Sequence, residues 1–264
     1  MSYLSLDDVS YSYDNKNNAV ESVNLEFELG EAVAIIGQNG AGKTTTVKMM
    51  NGLIRPDKGR VLLDGKDTKG ISVAQLSHHV GYVFQNPDEQ IFQDSVEKEI
   101  AFSLRKQKLP QTEITTRVKD AARLCHLDNK LNEHPYNLPY SQRKFVTIAA
   151  IIAMNPEVMV FDEPTAGQDH NSIIRLNKII KKLTSMHKLV ITITHDMSFV
   201  VNNFKRVIVF AQAHKQKEGS PAEIFSDESL LRKSKLEPPV IGQLAKKLGF
   251  SNVLTVTDLL RVVN

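Results

Sequence analysis

The sequence predicts an α/β fold: a sheet begun early in the chain, interrupted by a helical insertion, resumed, and followed by a helical extension. Three observations carry that expectation. The first is "GQNGAGKTT" at residues 37–45, a glycine-rich loop between the apolar run "AVAII" and an apolar-periodic stretch. The second is a pair of β-rich runs, "VMVFDEP" and "LVITITHD", which end in polar residues as buried parallel strands do where they deliver chemistry. The third is a change to helical patterning from Asn86 to about Leu138.

Taken in order, "VNLEFEL" and "AVAIIG" read as strands, Gly42 to Asn51 as a helix, and "GRVLLDG" as a strand between glycines. In "DSVEKEIAFSLRK", Asp94 with Glu97 three residues on is expected to form a capping box. Beyond Leu138, Phe145, Ile148, Ala149 and Ile152 fall at i, i+3, i+4 and i+7, the spacing of one helix face. After "RVIVFAQAHKQKEG", Ser220, Pro221 and Glu223 in "SPAEIF" mark a capped helix start that opens the extension. No internal repeat or low-complexity segment interrupts this order. The expected division is a nucleotide-binding core over 1–85 and 146–215, a helical subdomain over 86–145, and a C-terminal helical extension over 216–264.

A chain of 264 residues is long enough to bury a substantial core. With 33 Lys and Arg against 30 Asp and Glu, its net charge of +3 is too balanced to indicate a nucleic-acid binder. Cys125 has no second cysteine to pair with, and "MSYLSLDDVS" lacks the basic start and apolar run of a secretion signal, so a cytosolic location is expected. The most apolar stretch, "VTIAAIIAMNPEVMVF", is broken by Asn155, Pro156 and Glu157, so any service to a membrane is expected from outside the bilayer.

The loop at 37–45 matches the full phosphate-binding pattern G-x-x-x-x-G-K-[ST] in its confirming strand-loop-helix context. Gly37, Gly40 and Gly42 let backbone amides turn inward around phosphates, with Gln38, Asn39 and Ala41 between them, and the following helix adds the positive end of its dipole. Lys43 is expected to neutralise charge on the β- and γ-phosphates, the hydroxyl of Thr44 to ligate Mg²⁺, and Thr45 to complete the loop. Asp162, at the end of a buried strand, is placed to hold the Mg²⁺ water shell, and Glu163 to polarise an attacking water. Paired acids after an apolar run are often strand-end solvation, but the upstream lysine loop argues for a shared site. ATP and Mg²⁺ are the expected cofactors.

With these motifs in hand, the chain resembles an ABC-type ATPase subunit along nearly its whole length, which implies a P-loop NTPase core with an antiparallel β subdomain and a helical subdomain insertion. Tyr13 in "VSYSYD" is similar to the aromatic on which that family stacks adenine. Gln85 in "GYVFQNP" resembles the Q-loop glutamine that links metal and attacking water to the transmembrane partner. Asp169 in "AGQDH" resembles the aspartate of the segment crossing the dimer interface, and His195 in "THD" the histidine that contacts the γ-phosphate. More narrowly, "FQNPDEQIFQDSVEKEIAF" and the tail from "GSPAEIF" resemble the ATPase subunits of energy-coupling factor transporters, which import vitamins and transition-metal ions. That resemblance implies a peripheral protein at the cytoplasmic face of the cell membrane. It also implies a transmembrane scaffold whose coupling helices enter a groove near Asn86 to Phe92, and a substrate-binding membrane protein served indirectly.

One motif departs from the family. The usual signature reads Leu-Ser-Gly-Gly-Gln, and the aligned residues here are Leu138, Pro139, Tyr140, Ser141 and Gln142. Pro139 removes a hydroxyl and an amide donor, and Tyr140 places a ring where glycines would let the backbone approach phosphate. Ser141 is expected to cap the helix. Because Lys43, Thr44, Asp162, Glu163 and His195 all match, the expectation is a heterodimer with a second ATPase subunit bearing an intact signature, one site active and one impaired. The alternatives are a conventional ABC importer or exporter, an ATPase acting on nucleic acid or ribosomes, and a subunit that binds ATP without consuming it.

Overall fold

The computed structural model describes residues 2–14 and 17–263. The outer bounds 1 and 264 of the expected domains lie outside them. Strands β1 (Leu4–Ser12) and β2 (Asn18–Phe27) pair antiparallel, β3 (Ala32–Gly37) enters a second sheet, α1 (Lys43–Met50) follows, and β4 (Lys58–Leu63) and β5 (Lys66–Asp67) return to the first. The short α2 (Val73–Leu76) and β6 (Val80–Val83) lead to the helical stretch α3 (Val96–Lys106), α4 (Gln111–Leu124) and α5 (Tyr140–Met154). The second sheet then resumes with β7 (Val158–Asp162), α6 (His170–Ser185), β8 (Leu189–Ile193), α7 (Met197–Asn203), β9 (Arg206–Ala211) and β10 (His214–Gly219). The chain closes with α8 (Pro221–Phe225), α9 (Glu228–Ser234), α10 (Val240–Lys247) and α11 (Val256–Val263).

The first sheet is antiparallel in the order β2-β1-β4-β5, and the second runs β10-β9-β3-β8-β7-β6, parallel except for β10. The period of two explains how this second sheet holds the molecule together. Val33 and Ile35 of β3, with Val158 and Val160 of β7, face a core shared with the first sheet and α1. Their neighbours Ala34, Ile36, Met159 and Phe161 face the other way, into a core made with α3, α4, α5 and α6. Both faces of these strands are therefore covered, which is why they read as continuous apolar runs rather than alternating ones.

At helix starts the structure both follows and departs from the sequence expectation. Ser220 and Glu223 form the expected reciprocal box with Pro221 in the first helical position. At α3, by contrast, the cap is Ser95, whose hydroxyl accepts from the Lys98 amide, and Asp94 pairs with the Lys98 ammonium at 2.8 Å. The reason is local: Ser95 is extended, with φ −145° and ψ 152°, and its short hydroxyl reaches the open amide while Asp94 lies one residue too early. On α5, Phe145, Ile148 and Ala149 of the expected face are completely buried and Ile152 is half-buried. Helices α3, α4 and α5 pack on one another, and α5 runs unbroken through residue 145, the boundary expected from the sequence. Among the described residues, no helix is long and apolar enough to cross a membrane.

Candidate nucleotide site

Two glycines decide the shape of the phosphate loop. Gly37 ends β3 at φ 151°, where a Cβ would lie 2.2 Å from the Phe210 carbonyl oxygen, and Gly42 precedes α1 at φ 98°, where a Cβ would lie 2.4 Å from that of Ala19. Neither position admits a side chain, so the backbone there is free to present amides. Lys43 is buried, and its Nζ donates to the carbonyl oxygens of Gly37 at 2.7 Å and Gln38 at 2.9 Å. Burial lowers its pKa, while the Glu163 and Asp162 carboxylates pull it up. The Tyr13 and Thr45 hydroxyls lie 3.2 Å apart, and the Tyr13 ring, 63% exposed, stands edge-on to Tyr11 beside the loop.

Both acids arrive at the end of β7, which β8 separates from β3 in the sheet. Asp162 ends β7, its Oδ2 accepting from the Tyr82 hydroxyl at 2.6 Å, while its Oδ1 is buried without a hydrogen-bond partner among the described residues. Burial, followed by the charge of Asp162, raises the Tyr82 pKa, so this phenol stays a donor. Glu163 leaves the strand in a left-handed conformation, φ 47°, its amide held by the Ile193 carbonyl at 2.9 Å. Backbone strain of this kind in a non-glycine residue persists only where the surroundings enforce it, and it gathers at functional sites.

The Glu163 carboxyl meets His195 twice: Oε2 accepts from the backbone amide at 3.2 Å, and Oε1 lies 3.1 Å from Nε2. Burial pushes the Glu163 carboxyl up to about 7, against the pull of the His195 amide and Lys43. Burial also lowers His195, and the Lys43 charge adds to that. A neutral imidazole beside a carboxyl that titrates near neutrality is a pair able to take up and release a proton.

A cleft of about 770 Å³ brings residues 39–45 together with Tyr13, Gln85, Asp162, Glu163 and His195. Gly37 and Gln38 stand behind it, holding Lys43. The donor set suits Mg²⁺: a hydroxyl on Thr44, an amide oxygen on Gln85 and a carboxylate on Asp162 are all hard oxygens. The buried, unpartnered Oδ1 of Asp162 is the atom that a cation or its bound water would satisfy.

The signature residues lie outside this cleft. Leu138 is buried, Pro139 occupies the cap position of α5 with no side-chain bond, and Tyr140, Ser141 and Gln142 form its first turn. The expected Ser141 cap is therefore corrected: the residue is inside the helix, two positions past the point where a cap works. The Tyr140 ring covers Gly167, whose added Cβ would lie 3.1 Å from it. Asp169 caps α6, its Oδ1 accepting from the Ser172 amide at 2.7 Å, and the Ser172 hydrogen bonds hold its pKa below the usual range.

Sequence reasoning missed Tyr82, Arg143 and Lys144. Tyr82 could not be found without the parallel register that sets it opposite Val160 and so beside Asp162. Lys144 did leave a signal, because it shares i, i+4 and i+7 with Ile148 and Ile151 on a helix face that buries itself. It is wholly buried, donates from Nζ to the Phe84 carbonyl at 3.2 Å and to that of Gln85, and burial pushes its ammonium down to about 8.

A family profile described as ABC transporter matches residues 20–166. A protein from Methanosarcina acetivorans that carries the name of an ABC transporter ATP-binding protein is 40% identical over 262 residues, 97% of this chain and 43% of the relative. The chain thus spans less than half of that relative. A similarly named protein from Pyrococcus furiosus is 39% identical, with 96% of each chain covered. Among solved structures, cbiO1 from Clostridium perfringens, described as part of the ABC transporter complex cbiONQ, superposes with a TM-score of 0.79 at 32% identity over 93% of this chain and 99% of that one. A dimeric ATP-binding cassette in a post-hydrolysis state, bound to ADP and Pi, gives a TM-score of 0.75 at 25% identity over 83% of this chain and 98% of that one.

Proposed function

The chain belongs to the ABC transporter family, and from that premise we propose that it is the ATP-binding and ATP-hydrolysing subunit of an energy-coupling-factor-type importer. Its cargo in this reading is a vitamin or a transition-metal ion, and its position is the cytoplasmic face of the membrane. The observation that carries the nucleotide reading is the convergence of Lys43, Asp162, Glu163 and His195 on one cleft, with Asp162 Oδ1 unsatisfied. The likeness to cbiO1 supports the transporter class.

In this reading Lys43 exchanges the Gly37 and Gln38 carbonyls for phosphate oxygens, and amides of the loop receive the rest of the phosphate chain, that of Ala41 giving up its 3.2 Å bond to the Gln38 carbonyl to do so. The exposed Tyr13 ring offers its face to adenine. Thr44, Gln85 and Asp162 would hold Mg²⁺, which when bound neutralises phosphate charge. Glu163 takes the proton of the attacking water, and His195, neutral beside it, donates toward the γ-phosphate.

The signature turn supports a heterodimer. Tyr140 fills the space that glycines leave open, so a homodimer would carry two weakened composite sites, whereas a partner with an intact signature would complete the cleft built here. A transmembrane scaffold docking near Asn86 to Phe92, where Phe92 is 60% exposed, completes the proposed assembly. Pull-down of the chain from solubilised native membranes, with co-purifying polypeptides identified by mass spectrometry, tests it. The expected result is a second ATPase with a glycine-containing signature, a polytopic membrane protein, and Mg²⁺-dependent ATP hydrolysis. Homodimers that alone hydrolyse ATP at the rate of transport motors would overturn the asymmetric arrangement.

A further inference from the structure

Two consecutive cations on α5 grip the two ends of the segment that carries Gln85. Lys144 holds the carbonyls of Phe84 and Gln85 from inside the core. Arg143 donates from Nη1 to Asp88 Oδ1 at 2.8 Å, 55 residues away in sequence. Adjacent helix residues point about 100° apart, so the two side chains reach opposite ends of one crossing segment without competing for space. Between the grips the segment is stiff: Asn86 Oδ1 accepts from the Asp88 amide at 3.1 Å and Pro87 is buried.

The Arg143 side of this arrangement reaches back to the altered turn. Its guanidinium lies 5.4 Å from the Tyr136 ring centre and 5.5 Å from that of Tyr140, and the Tyr140 ring in turn covers Gly167. A glycine at 140 would give Arg143 no such face. The buried ammonium of Lys144 needs its carbonyl partners, since a charge enclosed without them is strongly unfavourable.

Resting on the reading of the chain as an ATPase, we propose that Arg143 and Lys144 are positioning residues, a double clasp through which the turn at 138–142 and the Gln85 segment move as one piece. Neither lines the nucleotide cleft, whereas Gln85 does, and both act through Gln85. Tyr140 then has a constructive role, because its ring, packed over Gly167, also faces the arginine of the clasp.

The test uses the purified complex carrying Asp88→Asn, Arg143→Met, or both. Lys144→Met is left aside because its burial puts folding at risk. Hydrogen exchange without nucleotide is expected to speed up over residues 134–141 in Asp88→Asn and over 84–92 in Arg143→Met, with the double variant no faster than Arg143→Met alone. In ATP hydrolysis, kcat is expected to fall about tenfold in Arg143→Met with KM for ATP unchanged, and Arg143→Lys to recover part of the loss. Unchanged exchange in the distant segment, or losses that multiply in the double variant, would overturn the clasp. If the wild-type complex hydrolyses no ATP, the proposed function fails while the exchange measurement still decides the clasp.

Discussion

Residues 37–42 and residues 138–142 are both turns that open a helix, and they treat space in opposite ways. In the first, Gly37 and Gly42 press against the Phe210 and Ala19 carbonyls, so that only glycine fits and no side chain at either position stands over the backbone. In the second there is no glycine. Pro139 contributes no amide hydrogen, and the Tyr140 ring turns back onto Gly167 and Arg143. A phosphate cradle needs close backbone approach, whereas a packed joint needs side chains that fill the gap. In the proposed reading, one chain has built the cradle at one end of its nucleotide machinery and the joint at the other.

The largest expected effect lies at the cradle end. Glu163→Gln keeps the shape of the cleft but cannot accept a proton, so hydrolysis by the complex is expected to fall roughly 10²- to 10⁴-fold with ATP binding retained. Steady-state turnover equal to wild type would remove Glu163 as the base. Next is Gly42→Val, which forces a branched side chain into a left-handed position against the Ala19 carbonyl. A loss of about 3 kcal/mol in urea unfolding is expected, together with loss of ATP binding. Equal costs for Gly42→Val and Tyr140→Gly would erase the contrast between the two turns.

A smaller effect should come from rebuilding the joint as a cradle. The triple variant Pro139→Ser, Tyr140→Gly and Ser141→Gly is expected to raise ATP hydrolysis by homodimers about tenfold, which corresponds to about 1.4 kcal/mol of barrier. No gain would mean that the turn is not what limits the homodimer.

The two turns also differed in how well they could be read. The lysine loop was legible because its glycine spacing, flanking strand and following helix are local features, and the structure places Asn39 to Thr45 in the cleft as that spacing requires. The strand ends were legible for the same reason, β7 closing at Asp162 and β8 at Ile193, two residues before His195, whose role only the family resemblance implied. What stayed hidden depends on pairings across sequence: Tyr82 meets Asp162 only through the parallel register of β6 and β7, and Arg143 meets Asp88 only because α5 crosses the segment after β6. The Asp94 cap failed on a one-residue matter of backbone geometry that the pattern S/T/D-x-x-E does not carry.

The smallest expected effect separates the two ends by pH. Burial raises the folded-state pKa of Glu163 to about 7, above the ordinary glutamate value of 4.5, so the folded protein holds this proton better than the unfolded chain does. The stability that follows is fully present below pH 4.5 and is lost as pH rises through about 7. Lys144, pushed down to about 8 from 10.5, works in a separate window: its folded form is disfavoured while charged, and stability recovers as pH rises from 8 toward 10.5. Glu163→Gln stays neutral throughout, so its melting temperature in nucleotide-free, chelator-containing buffer should gain on wild type between pH 4.5 and 7 and hold that gain to pH 8. A constant difference across that range would show that burial does not hold the carboxyl proton, and the cradle would then be no more costly to charge than the joint is to pack.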